Sequence, residues 1–203
     1  MKQKQNSIEW AKKIFRDRGG VLKTKEALSA GVHPSILYEM HRVGIIEKLS
    51  RGLYRLADLP PLGNPDFVTV AIKIPQGVIT LVSALAFHEI TTQIPHEIYI
   101  ALKRGTEPPR LKYPPIRIFW FTGDAFSEGI EQYDVDGTLV KIYRSEKTIA
   151  DCFKYRNKIG LDIALEALKL YRERMAFNVD DLMHFARICR VGKVIRPYIE
   201  AII

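Results

Sequence analysis

Residues 20–56, GVLKTKEALSAGVHPSILYEMHRVGIIEKLSRGLYRL, restrict the fold of this chain more than any other stretch. Pro34 suits a first helical position, where its missing N–H would have no intrahelical partner. From there Ile36, Leu37, Met40 and Val43 recur at helical spacing and mark a core-facing stripe. Ser35, Tyr38, Glu39 and Arg42 fall on the other side. Gly44 is placed to end the helix, a common role for glycine just past a last turn. A shorter helix precedes it, with Thr24 as its expected N-cap and Ala27 and Leu28 directed inward. Beyond Gly44, the segments IIEKL and LYRL flank Ser50-Arg51-Gly52, read as a three-residue hairpin loop with Arg51 at the tip. Helix, turn, helix and hairpin in this order predict a winged helix-turn-helix.

Charge follows the same stretch. The 203-residue chain has a net charge of +8. Residues 1–56 hold 12 Lys/Arg against 5 Asp/Glu, and the remainder is nearly balanced. Phosphate neutralisation supplies most non-specific affinity for DNA, so this asymmetry favours a nucleic-acid face on the N-terminal part over a solvated basic surface without a partner. Lys23 and Lys25 lie near a helix N-terminus, well placed for a phosphate. Arg51 suits a phosphate or minor-groove role, and Ser35, Tyr38 and Arg42 share the face away from the core. Tyr54 reads equally well as a core residue. The candidate DNA-contacting residues are Lys23, Thr24, Lys25, Ser35, Tyr38, Arg42, Arg51 and Arg55.

The rest of the chain reads as a second domain. Ser7 is a plausible N-cap for a first helix carrying Ile8, Ala11, Ile14 and Phe15, ending at Gly19-Gly20. Trp10 either extends that stripe or helps to hold the next domain. DLPPLGNPD, residues 58–66, has three prolines and a glycine in nine residues, which marks a linker. The boundaries expected are 1–57 for the helix-turn-helix domain, 58–65 for the linker and 66–203 for a C-terminal domain. FVTVAIKIP is alternating or nearly all apolar, and the following run turns helical near Ser83. EIYIALK and PIRIFWFT are strands, and EQYDVDGTLVKIYR is a hairpin turning at Asp136-Gly137. From Ser145, another expected N-cap, the chain is helical to its end. Asn178 caps a helix with Asp181 three residues on, and Pro197 is expected in the first turn of the last helix. The fold class is α+β: a mostly antiparallel sheet followed by a helical bundle.

Catalytic and metal signals are weak. DVDGTL, residues 134–139, matches a phosphatase nucleophile signature, yet the preceding GIEQY is too polar for a buried parallel strand. An Asp-Gly turn explains the same letters. His33, His41, His88, His96 and His184 show no metal-ligand spacing. Asp124, Glu128, Asp134, Asp136 and Asp151 form no acidic pair with a lysine on a convincing buried strand. No enzyme activity, cofactor or metal is expected. Cys152 and Cys189 lie in apolar helical patterns and read as reduced core residues of a cytoplasmic protein, with no membrane span.

Over nearly its whole length the chain resembles the AbiEi-type antitoxins and transcriptional regulators of type IV toxin–antitoxin systems. The resemblance begins with the N-terminal winged-helix unit ending in RGLYRL and continues through LPPLGNPDFVTVAIKIP, PPIRIFWFTG and VKIYRSEKTIADCFKYRNKIGLDIALEALKLYR, with SALAFHE and KTIADCF its most specific segments. It implies an autorepressor bound to double-stranded DNA repeats in its own promoter. It also implies a C-terminal domain that counteracts a nucleotidyltransferase-like toxin without a stable complex. It carries DNA contact onto Thr24, Lys25, Ser35, Tyr38, Arg42 and Arg51 and supplies no catalytic residue. Two other classes remain open: a protein-interaction module whose winged helix docks a protein, and a nuclease or phosphatase using the Asp134–Asp136 region.

Overall fold

In the computed structural model, which describes residues 2–202, the chain separates into two compact units meeting at Thr69 and Val70. The first contains α1 (Lys2–Asp17), β1 (Val21–Lys23), α2 (Thr24–Ser29), α3 (Pro34–Arg42), β2 (Ile46–Ser50) and β3 (Leu53–Leu56). Its three strands form an antiparallel sheet in the order β1-β3-β2. Ala11 and Phe15 from α1, Leu37 and Met40 from α3, and Ile46 and Leu56 from the strands close one core with Leu22, Ala27, Val32 and Tyr54.

Local chemistry explains these boundaries. Pro34 opens α3, preceded by His33, whose Nδ1 accepts from the Ser35 backbone N–H at 3.3 Å. At the other end Gly44 has φ +75°, a left-handed conformation that glycine adopts without a Cβ penalty. Ile45 N then donates to Met40 O at 2.8 Å and Gly44 N to His41 O at 3.2 Å, satisfying the last carbonyls. Some expectations are corrected. Ser7 lies within α1, and the N-cap of α2 is Lys23, whose N–H donates to Glu26 Oε2 at 2.8 Å. Leu28 and Val43 are exposed, each at the trailing edge of its apolar stripe. Ser50 pairs with Leu53, leaving Arg51-Gly52 as a two-residue loop.

A helix, α4 (Pro65–Lys73), spans the division between the units and takes up most of the apolar run FVTVAIKIP. Asn64 Oδ1 accepts from Phe67 N at 3.2 Å and Pro65 opens the helix, so capping outweighs the β-branched composition of FVTVAIK. The second unit continues with β4 (Val78–Ile79), α5 (Leu81–Phe87), β5 (Ile98–Lys103), β6 (Ile116–Phe121), α6 (Asp124–Ser127), β7 (Ile130–Val135) and β8 (Thr138–Tyr143). It ends with α7 (Ser145–Lys154), α8 (Arg156–Ile159), α9 (Leu161–Arg174), α10 (Val179–Ile188) and α11 (Gly192–Ile202).

The strand order is β6-β5-β4-β8-β7. Class α+β holds, but the sheet is evenly mixed and not mostly antiparallel. The β4–β5 and β7–β8 pairs are antiparallel, whereas β4–β8 and β5–β6 are parallel. The connection from Arg104 to Pro115 returns the chain to the starting end of β5, which forces β6 to run alongside it. Two helix starts also differ. Arg144 caps α7, with Ser145 already helical, and Pro197 falls in the second turn of α11. Asn178 caps α10 as expected, its Oδ1 accepting from Asp181 N at 3.0 Å. The helices pack a continuous apolar core with residues from the sheet, including Phe119, Phe121, Tyr143, Phe153, Leu168, Tyr171, Phe185 and Ile195. Among the described residues no helix is long and apolar enough to cross a membrane.

Candidate nucleic-acid interface

The α3 helix buries Leu37 and Met40 and turns Ser35, Tyr38 and Arg42 outward. Tyr38 is 69% exposed, too open to be a packing residue. Neither of its neighbours is idle. Ser35 Oγ lies 2.8 Å from His33 Nδ1. Arg42 makes a two-pronged pair with Glu39, Nε to Oε2 at 2.9 Å and Nη2 to Oε1 at 2.8 Å. That hydrogen bonding, with the Glu39 charge, raises the Arg42 guanidinium above its ordinary value. The outward face of α3 thus carries a guanidinium paired with Glu39, an exposed aromatic ring and a hydroxyl.

The hairpin is tied to the start of α2. Lys23 pairs with Leu53 in the sheet, and Thr24 N donates to Gly52 O at 2.9 Å. This brings Lys23, Thr24 and Lys25 to the same end of the unit as exposed Arg51. Lys23 Nζ is 3.9 Å from Glu26, a loose surface pair, while Lys25 is exposed. The sequence reading missed β1, the strand that supplies this tie, because three residues carry too little periodicity to mark one.

Arg55 is corrected. It is 4% exposed, its guanidinium donating to Glu47 Oε1 at 2.8 Å and to the carbonyl of Pro60. It therefore fixes the segment after β3 and is withdrawn from any nucleic-acid face. The sequence places it among the candidate DNA-contacting residues, but every residue of β3 is buried. Tyr54 packs in the core with its ring edge-on to His41 at 5.7 Å.

The second unit holds a polar cluster that sequence reasoning did not find. Lys147 and Asp151, both fully buried on α7, are joined at 2.5 Å. Cys189, at the C-cap of α10, donates its thiol to the other oxygen of Asp151 at 3.1 Å. The Lys147 ammonium also lies 4.2 Å from the ring centre of Tyr143 and 4.8 Å from that of Phe121, a cation–π arrangement. Burial pushes the Asp151 carboxyl upward, and Lys147 draws it back. Cys152 and Cys189 are free and buried, and burial raises both thiols. The four-residue spacing of Lys147 and Asp151 was the one available signal. Nearby, His88 Nε2 donates to Tyr143 O at 2.7 Å, so SALAFHE meets the strand leading into KTIADCF.

Residues 134–139 form the exposed turn of the β7–β8 hairpin. Asp134 Oδ1 accepts from Gly137 N at 2.7 Å, and Asp136 and Gly137 have φ values of +53° and +78°. The aspartates serve the turn, on antiparallel strands.

Residues 11–57 match the family model described as transcriptional regulator, AbiEi antitoxin. The crystal structure of the RV2827C protein from Mycobacterium tuberculosis is similar to this one at a TM-score of 0.61 and 13% sequence identity. The match covers 87% of this chain and 69% of that one, a likeness of fold. No curated protein matches the chain.

Proposed function

We propose that the N-terminal unit is a winged helix that binds double-stranded DNA, and that the chain is a cytoplasmic transcriptional autorepressor and antitoxin. In this reading α3 enters the major groove with Ser35, Tyr38 and Arg42 at bases or phosphates. Arg51 reaches the flanking backbone or minor groove, and Lys23, Thr24 and Lys25 hold phosphates. The operator is a set of repeats in the chain's own promoter. Residues 1–57 carry DNA binding, 58–65 the linker, and 66–203 the neutralisation of a nucleotidyltransferase-like toxin of a type IV system, without a stable complex. The observation that carries the reading is the exposed α3 face of Ser35, Tyr38 and Arg42 within the segment that matches the AbiEi regulators.

The test is binding of the full chain to its own upstream DNA and to an unrelated duplex of equal length, at two salt concentrations. Preference for the upstream DNA is expected, with affinity falling steeply as salt rises. Joint replacement Arg42→Ala and Arg51→Ala should weaken binding at least about tenfold. Equal weak binding to both duplexes would leave only a non-specific basic surface. Absence of binding would transfer the winged helix to a protein-docking role.

A further inference from the structure

Among the described residues β6 is an edge strand, with β5 as its one neighbour. The β5–β6 ladder determines which backbone groups turn outward. Ile98 N donates to Pro115 O at 2.8 Å, and Arg104 N to Phe121 O at 2.8 Å, so the odd-numbered residues of β6 face β5. In a parallel pair the alternate residues direct both N–H and C=O the other way. These are Ile116, Ile118 and Trp120. Consistent with that, the Tyr155 hydroxyl donates to Trp120 O at 3.4 Å on the outer side. Among the described residues, no hydrogen-bond partner occupies the outward backbone of Ile116 or Ile118.

The side chains make this edge unusual. Ile116 and Ile118 are half-buried and Trp120 is 39% exposed, all on one face. On the other face Arg117 lies over Phe119, 5.7 Å from its ring centre. Free edges are commonly protected by lysine, proline or a bulge within the strand. Here six residues, IRIFWF, run in register with β5 and carry one charge.

We infer that β6 pairs antiparallel with β6 of a second copy about a two-fold axis at Ile118. Three symmetric registers oppose at least two of the outward residues. An axis at Arg117 sets Arg117 directly against its own copy, a repulsive pair. An axis at Phe119 leaves Ile116 beyond the paired apolar residues. The axis at Ile118 uses all three outward residues, with Ile118 opposite Ile118 and Ile116 opposite Trp120, whose carbonyl accepts from Tyr155 and has a second lone pair for the ladder. On the reverse face Arg117 then stands opposite the position of buried Phe119, so no like charges oppose each other. The two five-stranded sheets become one continuous sheet. One strand pair covers a small area, so the dimer is concentration-dependent. This inference stands independently of the DNA-binding reading.

Sedimentation of the full chain from about 1 to about 200 µM tests it, the range in which a small interface assembles. The mass is expected to rise from 23.3 kDa toward twice that value. Ile118→Lys and Ile118→Glu should each remain monomeric, because like charges meet at the axis. An equal mixture of the two should dimerise again. Trp120→Asp, at an already exposed position, should also be monomeric. A wild-type chain that stays monomeric throughout overturns the inference. So does a dimer that survives in both Ile118 variants, or a mixture that stays monomeric while each variant keeps the wild-type circular dichroism.

Discussion

Lys147 and Asp151 face each other at 2.5 Å one helical turn apart on α7, and neither side chain is exposed. Burying an ion pair costs solvation for both charges, and the pair persists where further contacts complete it. Here the Cys189 thiol takes the second carboxylate oxygen, and Tyr143 and Phe121 face the ammonium. The cluster joins α7 to α10 and to the strands beneath.

Removing one partner should therefore be costly. Lys147→Met leaves an unpaired carboxylate in the core and should destabilise the second unit by about 3–5 kcal/mol. The double variant Lys147→Met/Asp151→Leu should recover much of that loss. Urea unfolding can be followed for each unit separately, because Trp10 lies in the first and Trp120 in the second. With Trp10→Phe as background, a Lys147→Met chain whose Trp120 transition does not move would contradict this account.

Glu39 holds Arg42 on the α3 face and places a negative charge beside any approaching phosphate. Glu39→Gln should free the guanidinium and tighten promoter binding about two- to fivefold at low salt, with a smaller gain at high salt. A titration in which Glu39→Gln weakens binding would instead assign the pair a positioning role.

Arg55 provides the opposite expectation. Arg55→Ala removes a buried stem and its bonds to Glu47 and Pro60, and should cost the first unit about 1–3 kcal/mol. Arg55→Met keeps most of the packing. Its DNA affinity, measured where the unit remains folded, should stay within about twofold of wild type. A loss matching that of Arg51→Ala would return Arg55 to the interface.

Burial lowers the His88 pKa below its ordinary value, more than its bond to Tyr143 O and the charges of Glu131 and Glu146 raise it. The folded state therefore holds His88 neutral while the unfolded chain takes up a proton near pH 6.5. Its contribution is complete above that pH and is lost as pH falls toward the folded value. The Trp120 unfolding midpoint should decline as pH falls below about 6.5, and His88→Gln should reduce that slope. An unchanged slope in the variant would assign the decline to other groups.

What could be read in advance follows how local each signal is. Pro34, the stripe through Leu37 and Met40, and Gly44 specify α3 within eleven residues, so helix and outward face were both readable. The hairpin at Asp136-Gly137 was equally local. Pairing partners were not: nothing within IYIALK or IRIFWF says that β5 and β6 run parallel. Arg55 reads from the sequence as one more basic residue of the hairpin, but its surroundings depend on Pro60, beyond the strand. Lys147 resembled an ordinary helix-surface lysine, and its burial reflects α10 and β6, which lie far away in sequence.

The parallel pairing of β4 with β8 joins Ile79 to Ile142, about sixty residues later. During synthesis, the strands from β4 to β6 emerge from the ribosome while the inner partner of β4 is still unmade. Closing so long a loop carries an entropic cost that only later contacts offset. The second unit is thus a structure that cannot be assembled in instalments. A chain ending before β8 would expose one side of β4 as a second open edge, prone to capture by other nascent chains and by proteases.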